Sequence, residues 1–376
     1  MNISGLKMNG QLPEDWSEVF EYRENLNELK TKIEKYRKYR NFIIIGNGGS
    51  ITSFEAYYRA LSPDREAFIL STMEPRLIAE IKAKYQPSDT LVIPISKSGN
   101  TLGLMESLLA FIDYPKLVIT NPEEGTLCEI AKIRECEIIT HPNIGGRFSG
   151  GTASAIVPAI LCGLDVEKIL EGLYDGYKLK NEAYSLSSEL YELEKIGYTE
   201  VYLPIYSQFL MGFENLIVQL MHESVCKDGH GQTFYASLSP ESQHHTNQRF
   251  LGGRKNVAAI FLNYEAESFE VVVPQDLRDI DIRGEKLGFL NGLNYQKGLM
   301  AEYLGTKQDA DINNIPNFTI TLPEINAYNV GLLLGFWHLM AFYSCLLRGV
   351  NPFDQPAVEN SKQITVSEIK QLQSHN

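Results

Sequence analysis

The chain has 376 residues, 44% hydrophobic and 22% charged, an ordinary globular composition with length enough for two or three core-forming units. A formal net charge of −13 argues against a general nucleic-acid or anionic-membrane partner, and any anionic substrate needs a local positive site. The five cysteines (128, 136, 162, 226 and 345) contain no C-x-x-C pair, so a reducing cytoplasm is expected, with neither a disulfide framework nor a zinc site.

The opening residues MNISGLKMNGQLPEDW lack a basic segment followed by an apolar one, so no signal peptide is expected. Residues 14–40 are charged and weakly periodic, which predicts a surface helix. An alternation follows. NFIIIG (41–46), AFILS (67–71), TLVIPIS (90–96), KLVIT (116–120) and EIITH (137–141) read as strands, with helices at 50–61, 75–85, 101–111 and 126–135 between them. Short, continuously apolar strands alternating with helices predict a parallel sheet covered on both faces. Residues 150 to about 196 read as helical, and VYLPIY (201–206) restarts the rhythm. A helix at 209–226, strands at 257–264 and 268–274, a helix at 292–304 and a strand at 317–323 follow. The apolar stretch at 326–347, interrupted by His338 and Ser344, reads as a core helix. The expected division is a helical lead-in at 1–40, α/β units at 41–196 and 197–350, and a tail at 351–376.

Open parallel sheets bind ligands at the carboxyl ends of their strands. Two motifs lie there: GNGGS (46–50) and ISKSGNT (95–101). Taken alone, the first fits a nucleotide phosphate, a sugar phosphate or a bare turn. No Walker loop is present, and the dinucleotide fingerprint fails because Ile51 stands where its third glycine belongs. Ser96, Ser98 and Thr101 can donate to phosphate oxygens beside free helix-start N–H groups, with Lys97 adding charge or pointing to solvent. An ordinary capped helix start is the plainer alternative. In NIGGRFSGG (143–151), Gly145 and Gly146 permit close approach of a ligand. Arg147 can fork toward a developing oxyanion or form a surface ion pair. Gln219 and Glu223 share one face of the 209–226 helix, and Glu223 is either a general base or a solvated carboxylate. His244 and His245 are adjacent and therefore diverge, and no carboxylate or histidine at helical spacing completes a ligand set, so no metal is expected.

Together these stretches resemble the phosphoglucose isomerase family, built from two sugar-isomerase (SIS) domains. GNGGS resembles the family's G-I-G-G-S turn and SKSGNT its phosphate loop, while GGRFS matches it literally. QLMHES resembles Q-L-x-M-E-S, SQHHTNQ resembles the Q-H-S-x-x-Q stretch of the shorter members, and FDQPAVENSK (353–362) resembles F-D-Q-x-G-V-E-x-G-K. The six ordered motifs span residues 46 to 362. The resemblance implies an α/β fold with two SIS-type three-layer αβα domains, mainly parallel sheets, and a C-terminal tail carrying Lys362. It implies a cytoplasmic glucose-6-phosphate isomerase, needing no metal or organic cofactor. Ser50, Ser96, Lys97, Ser98 and Thr101 would hold the 6-phosphate, with Gly48, Gly49 and Gly146 close to the sugar. Glu223 would shuttle the proton between C1 and C2, and Arg147 would stabilise the cis-enediolate. His244 and Lys362 would assist ring opening, and Gln355 would line the site. The histidine arrives from a neighbouring subunit in this family, which implies a homodimer. Departures are Gly103 in place of a glutamate, Pro356 and Ser361 in place of glycines, and Met221-His222 before Glu223. They leave room for a bifunctional phosphoglucose/phosphomannose isomerase. A silent sugar-phosphate sensor would need only the phosphate loop.

Overall fold

The computed structural model describes residues 16–266 and 268–374. Two short helices, α1 (Trp16–Glu21) and α2 (Leu26–Ile33), lead into β1 (Asn41–Ile45), α3 (Thr52–Leu61), β2 (Glu66–Leu70), α4 (Pro75–Lys84), β3 (Thr90–Ser96), α5 (Leu102–Ala110), β4 (Leu117–Thr120), α6 (Thr126–Ile133) and β5 (Glu137–Thr140). These strands form one all-parallel sheet in the order β2-β1-β3-β4-β5. Its register sets Ser96 opposite Thr120 and Thr120 opposite Thr140, so the strand ends finish level. Helices α7 (Ala153–Cys162), α8 (Val166–Gly176) and α9 (Lys180–Lys195) bridge to β6 (Glu200–Ile205), α10 (Glu214–Val225), β7 (Thr233–Leu238), α11 (Thr246–Gly252) and β8 (Val257–Tyr264). A two-strand ribbon, β9 (Asp281–Ile282) and β10 (Glu285–Lys286), precedes α12 (Tyr295–Ile312), β11 (Asn317–Leu322), α13 (Ala327–Arg348) and α14 (Glu359–Ser374). The second sheet is also parallel, in the order β11-β8-β6-β7.

The period-2 side-chain alternation of a strand divides the core cleanly. Phe42, Ile44, Leu91, Ile93 and Ile95 join Val201, Leu203 and Ile205 of the second sheet in one large cluster. Ile43, Ile45, Val92 and Val118 face the other way, against α4, α5 and α6. Tyr202, Tyr206 and Phe261 do the same for the outer layer of the second sheet. The layers thus meet in a shared apolar centre. There α13 crosses α8 so closely that a Cβ at Gly331 would lie 2.0 Å from Ile169 O. As expected, α13 is a core helix: it is long and apolar enough to cross a membrane, yet 89% of its apolar window is buried.

Four expectations need correction. The run at 268–274 is not a strand: it makes an isolated bridge between Glu270 and Asn294, and Val272 is exposed. The fourth strand of the second sheet is instead TFYASL (233–238), a half-buried edge strand whose polar residues blurred its signal. The tail carries a full helix, α14, with no buried residue. The lead-in is two helices whose Val19, Leu29 and Ile33 enter the large core; the rest of it, at 1–15, lies outside the described residues.

Candidate active site

The site begins where β1 ends. Gly48 has φ +52°, and a Cβ there would lie 2.7 Å from Gln219 Nε2. Gly49 is tighter still: its Cβ would lie 2.1 Å from Arg147 N and 2.2 Å from Gly146 C. The turn at 48–50 and the turn at 146–151 therefore cross backbone to backbone, and Ser149 Oγ donates to Gly146 O at 2.6 Å. Glycine at 49 makes room for the backbone of Gly146 and Arg147.

That crossing seats Arg147, which is only 3% exposed. Its Nε donates to Ser224 Oγ (2.8 Å) and its Nη1 to Glu223 Oε2 (3.2 Å) and Gln355 Oε1 (2.8 Å). Its Nη2 donates to the carbonyls of Pro352 (2.6 Å) and Asp354 (2.8 Å). All five N–H donors of the guanidinium are thus engaged. Burial pushes the Arg147 pKa down, and the Glu223 carboxylate beside it pulls it back up. The 351–355 segment is clamped in turn by Lys227, which donates to Asp354 Oδ1 (2.6 Å) and Asn351 O.

Glu223 sits near the end of α10. Its Oε1 accepts from Gln219 Nε2 (3.1 Å), and Gln219 Oε1 accepts from Thr52 Oγ1 (2.9 Å). Its side chain stays about a third exposed at 35%, so a ligand can reach the carboxylate, while the arginine behind it is almost fully covered by its own hydrogen-bond partners. An oriented, partly exposed carboxylate backed by a buried guanidinium can accept a proton beside a fixed positive charge.

The loop after β3 folds on itself. Gly99, at φ +66°, donates its N–H to Ser96 Oγ (3.2 Å), and the Ser96 and Thr101 hydroxyls lie 3.0 Å apart. Thr101 is the residue preceding α5, and its hydroxyl makes no capping bond to that helix. Asn100 Oδ1 accepts from Thr126, which ties the loop to α6. Ser96 is buried, Ser98 exposed and Lys97 half-buried. Near Lys97, His141 has its pKa pushed down, chiefly by burial and further by the Lys97 charge.

The fold therefore joins Arg147, Glu223 and Gln355 to the glycine crossing of Gly48, Gly49 and Gly146. His244 lies exposed in the short turn after β7, and Lys362 lies on exposed α14, paired with Glu359 at 2.6 Å. Among the described residues no hydrogen bond or ion pair links either to the Arg147–Glu223 pair. Ser224, Lys227, Thr52 and the carbonyls of Pro352 and Asp354 were not anticipated. Ser224 follows Glu223 directly, and that adjacency was the one available signal.

No protein-family model matches the chain. It is 31% identical over 370 residues to the glucose-6-phosphate isomerase of Methanocaldococcus jannaschii, covering 93% of this chain and 88% of that protein. Among solved structures it is similar to a hypothetical protein of Thermus thermophilus, with a TM-score of 0.83, 25% identity, and coverage of 95% of this chain and 90% of that one. A glucose-6-phosphate isomerase of Chlamydia trachomatis shares the fold at a TM-score of 0.77 and 20% identity, covering 92% of this chain and 74% of that one. With the extent of the first match, the chain belongs to the glucose-6-phosphate isomerase family.

Proposed function

We propose that this chain interconverts glucose 6-phosphate and fructose 6-phosphate through a cis-enediolate. The observation that carries the reading is a partly open Glu223 carboxylate held against a buried Arg147, with a hydroxyl-rich loop at the end of β3, the strand paired with the β1 that leads into the glycine crossing. The names of the relatives support the substrate class.

In this reading Ser50, Ser96, Lys97, Ser98 and Thr101 hold the 6-phosphate, using hydroxyls and the N–H groups that open α5. Glu223 takes the proton from C2 of the open-chain aldose, and the electron pair moves into the C1–C2 bond as O1 gains negative charge. Returning that proton to C1 while the O2 proton passes to O1 yields the ketose, with no atom gained or lost. Arg147 stabilises the enediolate. Its five donors are occupied, so an oxygen of the intermediate takes over an Nη1 bond held by Glu223 or Gln355. The exchange costs little because one charge-assisted bond replaces another. The chemistry needs neither metal nor organic cofactor.

Ring opening falls to His244 and Lys362, and a homodimer in which His244 arrives from the second copy completes the site. Its exposed position, outside the contacts of its own Arg147–Glu223 pair, supports this part of the reading. The two units are taken to divide near residue 196, since no strand is shared between the sheets. A cytoplasmic setting fits five free thiols.

The test supplies fructose 6-phosphate and couples product to glucose-6-phosphate dehydrogenase. NADPH formation well above the blank is expected. No formation overturns the reading, and thermal stabilisation by fructose 6-phosphate without turnover would mark a sensor. Mannose 6-phosphate in place of fructose 6-phosphate separates a bifunctional phosphoglucose/phosphomannose isomerase from the narrower enzyme.

A further inference from the structure

Thr52 has no role in the reading above, yet its hydroxyl is committed to the site. It is the first residue of α3 and is 7% exposed. A threonine at a helix start ordinarily turns its oxygen toward its own backbone. Here it reaches across 167 residues of sequence to Gln219 Oε1 at 2.9 Å. On α10 the residues Asn215, Gln219 and Glu223 lie four apart and form one stripe. Asn215 Nδ2 donates to Glu55 Oε2 of α3 at 3.1 Å, Gln219 meets Thr52, and Glu223 accepts from Gln219 and Arg147. The stripe is thus pinned to α3 turn by turn, and the last turn carries the proton acceptor.

We infer that Thr52 is a positioning residue for Glu223, acting through the Gln219 carboxamide. The chemistry permits one arrangement. An ionised carboxylate only accepts, so the Gln219 amide nitrogen must face Glu223. Its oxygen then faces α3, where only a donor satisfies it, and the Thr52 hydroxyl is that donor. Gly48 closes the remaining side, since a Cβ there would meet Gln219 Nε2 at 2.7 Å. With the Thr52 donor in place the amide has one orientation that satisfies both its ends, and Glu223 Oε1 is held while Oε2 stays on Arg147. The inference rests on the isomerase reading for its kinetic consequence, but not for its structural one.

The experiment compares Thr52→Val, Thr52→Ser and Asn215→Ala with the wild-type chain. Valine keeps the shape and removes the donor, serine restores it, and Asn215→Ala breaks the neighbouring α3–α10 contact. Thr52→Val is expected to lower kcat about five- to tenfold with KM nearly unchanged, the effect of losing one neutral hydrogen bond. Thr52→Ser should return to within about threefold of wild type, and Asn215→Ala should lower the melting temperature while kcat holds. An equal kcat loss in Asn215→Ala and Thr52→Val, or no rescue by serine, overturns the inference. Crystal structures of the two Thr52 variants read the same question without turnover. The Gln219 amide should leave Glu223 in Thr52→Val and stay in Thr52→Ser. If it stays in both, the inference fails even when the wild-type chain is an active isomerase; if it leaves as expected while no turnover is seen, only the isomerase reading has failed.

Discussion

Gly49→Ala is the sharpest perturbation the site offers. The added methyl carbon would sit 2.1 Å from Arg147 N and 2.2 Å from Gly146 C, where ordinary contact begins at 3.4 Å. Both neighbours are backbone, so no side chain can swing aside, and the two turns must part by about 1.3 Å. Overpacking of this kind costs about 1–3 kcal/mol of stability. The functional cost is at the upper end of the same range, because Arg147 rides on the displaced backbone. A misplacement near 1 Å costs about 100-fold in rate, or ~2.7 kcal/mol of barrier. The coupled assay should therefore show kcat/KM down about 100-fold, while thermal melting monitored by circular dichroism falls by a few degrees. Gly145→Ala is the control. Its φ is −59° and a Cβ there meets nothing within 4 Å, so its melting temperature should match wild type. A Gly49→Ala enzyme with normal turnover and normal melting would refute the reasoning, since it would mean the crossing does not seat the arginine.

Glu223→Gln keeps shape but cannot accept the proton, so kcat should drop about 10²–10⁴-fold with KM little changed; normal turnover removes Glu223 as the base. Mixing inactive Glu223→Gln and His244→Ala chains and allowing subunits to exchange should restore part of the activity, because one site of each mixed dimer is then intact; no recovery argues against a shared site. Lys227→Met frees the 351–355 segment from its clamp and should lower kcat several-fold, a fraction of the ~1.5–3 kcal/mol of a charge-assisted hydrogen bond because Arg147 still holds the segment, with unchanged kcat showing that Arg147 alone holds it. Buried His338, beside Tyr177 OH at 2.9 Å, has its pKa pushed down by burial to about 3 from an unfolded value near 6.5. Between those values the unfolded chain binds a proton that the folded chain refuses. Its stabilising contribution is therefore complete above pH ~6.5 and falls by about 1.4 kcal/mol per unit on acidification toward pH 3. Urea melts at pH 6.5 and 5.0 should show a smaller loss in His338→Gln, and equal losses would exclude the histidine as the source.

The alternation of short apolar strands with helices was legible because each strand of a covered parallel sheet is buried on both faces. That physics writes itself into runs such as Ile43–Ile45 and Leu91–Ile95. The edge strand Thr233–Leu238 was not legible, since an edge position relaxes the demand for apolar residues. Conversely, Val271–Val273 looked like a strand because β-propensity is local, while the partner a strand needs is not.

The chemistry divides along the same line. Residue types and motifs pointed to Glu223, Arg147 and the hydroxyls of the loop after β3, and the family resemblance added Gln355. Their spacing in the chain says nothing of contact: Arg147 meets Glu223 across 76 residues and Gln355 across 208. Only the tertiary structure decided that glycine at 49 makes room for a second backbone, that the arginine has no spare donor, and that Thr52 holds Gln219. Each is a property of atoms brought within about 3 Å by packing between distant segments, and periodicity within one segment carries no record of what will be packed against it.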